Sequence, residues 1–274
     1  MSSCHTGHRD AGFSLIELAI VLVIIGLLVG GGIAALDATT EQARRSDQKR
    51  ALREAREALY GFAMARGRLP CPDTGYPPDG TEDIVDLAPG DGFACPIGDP
   101  DNHADCECDD NWGALPWVAL GLDKRDAWGN PLRYRVYDGF AGNDDLPDFA
   151  NPDANHEQPA FGLVGDIGSI EVVDGTGGIL VDTAPAIIVS YGPQGQQIWT
   201  GAGFDCPAAG SLGFSADEAE NCDNNNGFVD AGYRSADAGS DPTQPGEGRF
   251  DDLVIWLSTP VLKARMVDAR RLPR

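Results

Sequence analysis

Cysteines and runs of oxygen-bearing side chains are the residues of this chain whose types and spacing can do chemistry. Cys71, Cys95, Cys106, Cys108, Cys206 and Cys222 fall in stretches rich in Gly, Pro and Asp. Outside the cytoplasm such a set closes disulfides, and six cysteines allow more pairings than a sequence can rank. The local pairing, Cys206 with Cys222, is favoured. Zinc is the competing chemistry, from His103, Cys106 and Cys108 with Cys71 or Cys95 nearby, but C-x-C is not a usual zinc spacing. Asp223-Asn224-Asn225-Asn226-Gly227-Phe228-Val229-Asp230 alternates oxygen side chains around a glycine. That composition suits calcium, with Asp223, Asn225 and Asp230 as ligands, although the glycine comes one position early for an EF-hand loop. A solvated Asx-rich turn is the alternative. Asp99, Asp101, Asp105, Asp109 and Asp110 form a further acidic loop that reads as solvated.

Catalysis has little support. Beyond residue 12 the only histidines are His103 and His156, His156-Glu157 lacks a second histidine at metal-binding spacing, and no G-x-S-x-G occurs. The expectation is that the chain is not an enzyme and that Trp112, Trp117, Trp128, Trp199 and Trp256 are core or loop anchors. A formal charge of -23 over 274 residues disfavours nucleic acid as a partner.

The elements that must carry these residues begin with a helix. Leu18 to Leu36 is apolar without interruption, close to the roughly 20 residues that span a bilayer. Glu17 stands at its start, where an isolated carboxylate in lipid is costly. Beyond it Leu52, Ala55, Leu59 and Phe62 follow the spacing of one helical face, so one helix is expected over residues 13–66. An ordinary secretory signal peptide has no use for that glutamate or that continuation.

The junction Gly12-Phe13-Ser14-Leu15-Ile16-Glu17-Leu18, followed by the apolar helix, resembles the prepilin signature of type IV pilins and type II secretion pseudopilins. The resemblance implies a leader over residues 1–12, cleavage after Gly12 by a prepilin peptidase and methylation of the Phe13 amine. It also implies an assembly role for Glu17. In a core of packed helices Glu17 can pair with the Phe13 ammonium of a neighbour, which neutralises two charges that are expensive alone and sets axial register. The partners implied are other pilin or pseudopilin subunits, the peptidase and the bacterial inner membrane, with the head in the periplasm and the assembled filament periplasmic or extracellular.

Residues 67–274 form the expected head. Leu132, Tyr134 and Val136 alternate with Arg133, Arg135 and Tyr137 as in a half-buried strand, and further strands are expected at FGLVGDIGSIEVV, GGILV, APAIIVSYG and FDDLVIWLS. Residues 193–249 lack a sustained apolar period and read as an inserted loop region pinned by Cys206 and Cys222. The C-terminus VLKARMVDARRLPR is basic and reads as helical. The class is α+β: a long N-terminal helix, membrane-spanning in its first half, packed on an antiparallel β-sheet head with disulfide-tied loops.

DAWGNPLRYRV, VSYGPQGQ and FDDLVIWLS occur in the order seen in the major pseudopilin of type II secretion. That resemblance implies calcium between the Ser-Tyr-Gly turn and the last strand, with Asp251 and Asp252 matching the family's acidic pair and Gln194 standing where an aspartate is usual. The long insertions point to a minor pilin or pseudopilin. The alternative is a pilus-tip adhesin or ligand-binding module displayed by the pilin machinery.

Overall fold

The computed structural model describes residues 15–86, 106–141, 161–165, 167–200, 203–235 and 241–273, with the backbone alone for 27–38, 86, 106 and 107. Gly12, Phe13, Cys95, His103 and His156 lie outside the described residues, as does the Cys106 side chain.

Helix α1 spans Leu15–Arg66, as its apolar spacing predicts. The chain divides into two units, Met1–Ser46 and Asp47–Arg274. In the first, the apolar side chains from Leu15 to Ile25 stand exposed, Leu15 at 91%. Among the described residues no helix is long and apolar enough to cross a membrane. The expected span from Leu18 to Leu36 includes positions described by backbone alone.

In the second unit Leu52, Ala55, Leu59 and Ala63 recur at helical spacing and are buried. Phe62, expected on that face, is half-buried, with the Arg68 guanidinium 5.3 Å from its ring. Strands β1 (Ile84–Asp86) and β2 (Cys106–Cys108) form an antiparallel ribbon, fastened by the Cys71–Cys108 disulfide. There follow β3 (Trp112–Ala114), the single-turn helix α2 (Trp117–Leu120), β4 (Arg133–Val136), β5 (Ile170–Asp174), β6 (Ile179–Ala184) and β7 (Ala186–Ser190). The region expected as loop holds α3 (Gly195–Ile198), β8 (Trp199–Thr200), β9 (Gly203–Phe204), α4 (Ala216–Cys222) and β10 (Gly227–Asp230). Strand β11 (Leu253–Trp256) and helix α5 (Thr259–Asp268) complete the fold.

The main sheet has the order β11-β7-β4-β3 and is antiparallel throughout. Its central strand β7 is buried on both faces, so its sequence AIIVS is continuously apolar up to Ser190. Ala186 and Ile188 join the α1 stripe, Tyr134, Val136, Leu262 and Met266 in one core. Ile187 and Val189 face a second core with Ile170, Val172, Ile198, Phe214 and Phe228. Helix α5 locks to α1 through an Arg265–Glu57 ion pair of 2.6 Å and a bond from Ser258 N–H to Tyr60 Oη of 3.0 Å.

Four expectations are corrected here. Residues 193–249 are not merely loop: they supply Ile198, Phe214, Cys222 and Phe228 to the second core, and β10, which pairs with β5 in a smaller sheet of order β10-β5-β6. That pairing is parallel, so the head is not wholly antiparallel. Strand β4 is buried on both faces. Arg133 and Arg135 face not water but the carbonyls after α4, with Arg133 donating to Cys222 O and Asp223 O, and Arg135 to Asn224 O. Guanidinium donors there satisfy carbonyls that a helix end leaves without partners. The expected strand at FGLVGDIGSIEVV is also shorter, since β5 begins only at Ile170.

Candidate metal centre

The three motifs DAWGNP, SYGPQG and FDD meet in space. Asp126 Oδ1 accepts from Trp128 N–H at 2.9 Å and Asn130 N–H at 2.8 Å, closing a turn, and its Oδ2 accepts from Ser190 Oγ at 2.8 Å. Asn130 Nδ2 then donates to Gly192 O at 3.1 Å, so the first turn positions the second. Gly192 has φ 57°, and a Cβ there would lie 2.6 Å from Asp251 Oδ1. Only glycine suits both the left-handed backbone and this close approach.

Helix α4 brings Glu218 to Asp251 and Asp252. Its first turn is a capping box: Glu218 N–H donates to Ser215 Oγ at 3.3 Å and Ser215 N–H to Glu218 Oε2 at 3.0 Å. The other oxygen, Glu218 Oε1, accepts from Asp251 N–H at 3.1 Å. The capping carboxylate is thereby held against the start of the last strand.

One carboxylate oxygen from each of Glu218, Asp251 and Asp252 lies within 4.8 Å of the others, and all three residues are buried. Burial, then the charges of Glu218 and Asp251, pushes the Asp252 carboxyl far above its ordinary range. Burial, aided by the Asp251 charge, pushes Glu218 up to about 7. Arg249 forms an ion pair with Asp251 Oδ2 and supplies part of the missing positive charge. Asp252 Oδ1 is buried with no hydrogen-bond partner, and so is Gln194 Oε1 on the Ser-Tyr-Gly turn. Buried polar atoms ordinarily find partners. A carboxylate oxygen without a donor, beside two further carboxylates, fits a hard divalent cation that prefers oxygen ligands.

Of the residues expected to bind calcium, Asp251 and Asp252 are brought together here. Asp223 and Asn225 are not in this group. Asp223 Oδ1 accepts from Asn225 N–H at 3.0 Å and Asn225 Oδ1 from Gly227 N–H at 2.5 Å, which is the Asx-turn alternative. Asp230 ends β10, half-buried. Glu17 lies in the first turn of α1. Cys206 pairs with Cys222 as local spacing favoured, and Cys71 pairs with Cys108. Sequence reasoning missed Glu218 and Asn221. The signal for Glu218 was Ser215-Ala216-Asp217-Glu218, the S-x-x-E pattern of a helix start.

No curated protein and no solved structure matches the chain. Residues 7–33 match the family model described as the prokaryotic N-terminal methylation motif, so the chain carries at the head of α1 the motif characteristic of type IV pilins and pseudopilins.

Proposed function

We propose that this chain is a minor pilin or pseudopilin, a structural subunit of a type IV pilus or type II secretion filament. A prepilin peptidase cuts it after Gly12, and the apolar run from Leu18 to Leu36 anchors it in the inner membrane with the head in the periplasm. The observation that carries this reading is the methylation motif over residues 7–33 leading into a helix that runs Leu15–Arg66. A helix whose apolar side chains stand exposed up to Ile25 needs lipid or neighbouring helices to cover it. The head's second role is to bind calcium at Glu218, Asp251 and Asp252, supported by their burial and by the hydrogen-bonding vacancy at Asp252 Oδ1. A bound cation there supplies the positive charge that three buried carboxylates lack and fastens the inserted region to the main sheet.

Intact mass of the protein from cells with and without the peptidase tests the reading. Loss of residues 1–12 with one added methyl group, dependent on the peptidase, is expected. An uncut chain, or one cut within the apolar run, overturns it.

A further inference from the structure

Helix α4 has only seven residues, too few to persist alone in water. What holds it is external. At its start are the capping box and the bond that Asp251 N–H donates to Glu218 Oε1. At its end Cys222 is bonded to Cys206, sixteen residues back in sequence, and Arg133 holds the carbonyls of Cys222 and Asp223. Glu218 lies one turn before Cys222, and Asn221 immediately precedes it. Asn221 donates to Asp252 Oδ2 at 2.9 Å. The disulfide is therefore covalently adjacent to the helix that brings two side chains to the carboxylate cluster.

We propose that the Cys206–Cys222 disulfide is the lock of the metal centre: closed, it holds α4 in the register that presents Glu218 and Asn221, and open, it releases the cation. This rests on the cation-binding reading of that centre. Opening is a two-electron reduction by a dithiol. The S–S bond breaks, Cys206 and Cys222 each gain one electron and one proton, and the dithiol becomes a disulfide. Coupling between two equilibria is reciprocal, so a disulfide that tightens cation binding is itself protected by the cation to the same factor. The Cys71–Cys108 bond fastens a different ribbon, beside the Arg68–Glu82 ion pair, and serves as an internal control.

The test is a redox titration of the full-length chain in detergent micelles, in a dithiol/disulfide buffer with and without calcium. Differential alkylation and mass spectrometry read each cysteine separately. Calcium binding to the oxidised chain and to C206S/C222S is measured by calorimetry alongside. Saturating calcium is expected to make Cys206–Cys222 at least about tenfold harder to reduce, about 30 mV for a two-electron couple, and to leave Cys71–Cys108 unchanged. The double variant is expected to bind calcium weaker by the same factor. Should that variant fail to fold, the titration of the unaltered chain still decides. Calcium binding to the oxidised chain with both disulfides unshifted, or both shifted equally, overturns the lock and leaves the metal centre standing. No binding to the oxidised chain removes the metal centre and the lock together.

Discussion

Asn221 Nδ2 donates to Asp252 Oδ2 at 2.9 Å and to Val229 O at 3.0 Å, while its Oδ1 accepts from Val229 N–H at 2.7 Å. One buried amide thus ties the end of α4 to β10 and to the residue preceding β11. It uses one oxygen of Asp252 and leaves Oδ1 as the atom without a hydrogen-bond partner. Asn221→Ala strands the Val229 N–H and C=O in the interior. The expected loss is about 2–6 kcal/mol, at roughly 1–3 kcal/mol for each buried group left without a partner. Chemical denaturation checks it through a lower midpoint at constant m. An unchanged midpoint would mean that water replaces the amide at no cost.

Arg133 performs a corresponding task for the two residues that follow Asn221, donating to the Cys222 and Asp223 carbonyls. It is 1% exposed, with its guanidinium 5.2 Å from the Trp112 ring and 4.7 Å from the Phe204 ring. It also donates to Tyr191 Oη at 3.0 Å. Arg133→Met keeps much of the volume but leaves the carbonyls after α4 without donors, so a loss of about 3 kcal/mol is expected. Arg133→Lys does not restore it, because an ammonium cannot reproduce the planar fork. Full stability of the lysine variant in urea would show that charge alone suffices.

These two residues also show what the sequence could convey. Helix α1 and β4 were legible because their apolar residues repeat with the period of one element, and β7 and β11 because each is a short continuous apolar run. The Asp251–Asp252 pair was legible through its motif. Arg133 and Arg135 were read as solvent-facing because alternation in a strand reports which side chains are polar, not what lies over them. Their cover is a loop about ninety residues further on, and such pairing leaves no periodic trace. Glu218 and Asn221 were missed for the same reason. Helix α4 is too short to show a period, and its stability comes from a cap, a disulfide and tertiary hydrogen bonds rather than from a stripe.

A pH dependence follows from Asp73, remote in sequence from these motifs. It is 2% exposed and accepts from Gly80 N–H at 2.5 Å and Gly75 N–H at 3.1 Å. Burial foremost, and then the charges of Asp83 and Asp79, raise its carboxyl to about 6. The folded chain therefore holds this proton more tightly than the unfolded chain, in which an aspartate titrates near about 3.9. The stabilisation is complete below that value and is lost as pH rises through about 6. Melting temperatures measured from pH 4 to 7.5 should fall through this window, and Asp73→Asn should flatten the fall. A variant with the same slope as the parent would assign it to another group.

Calcium should stabilise the head by mass action. At a hundred times the dissociation constant the gain is about 2.7 kcal/mol, several degrees in melting temperature for a domain of this size. Magnesium should give less, since it demands a tighter octahedral shell. Asp252→Asn and Glu218→Gln each remove one carboxylate that the cation would neutralise, and each should abolish most of the response to calcium. Without calcium Asp252→Asn should cost little, since its amide oxygen can still accept from Asn221, whereas Glu218→Gln should lower the melting temperature, because both Glu218 oxygens accept backbone N–H bonds and an amide keeps one acceptor. An undiminished response in both variants would place any bound calcium elsewhere.

Glu17 makes the last prediction, which separates processing from assembly. The residue begins an apolar run, and a carboxylate there is tolerable only beside a positive partner. In the proposed filament that partner is the Phe13 ammonium of a neighbouring subunit. Glu17→Ala leaves the Gly12–Phe13 junction intact, so the chain should still lose residues 1–12 and remain in the membrane fraction. What it should lose is assembly, because a neighbour's ammonium then has no counter-charge and axial register is no longer fixed. Glu17→Gln should fail in the same way despite keeping size and polarity, since an amide cannot neutralise the ammonium. Membrane fractions and sheared filaments probed for each variant give the readout. If Glu17→Gln assembles like the parent, the side chain acts through hydrogen bonding or packing, and the charge-pair account of register is wrong.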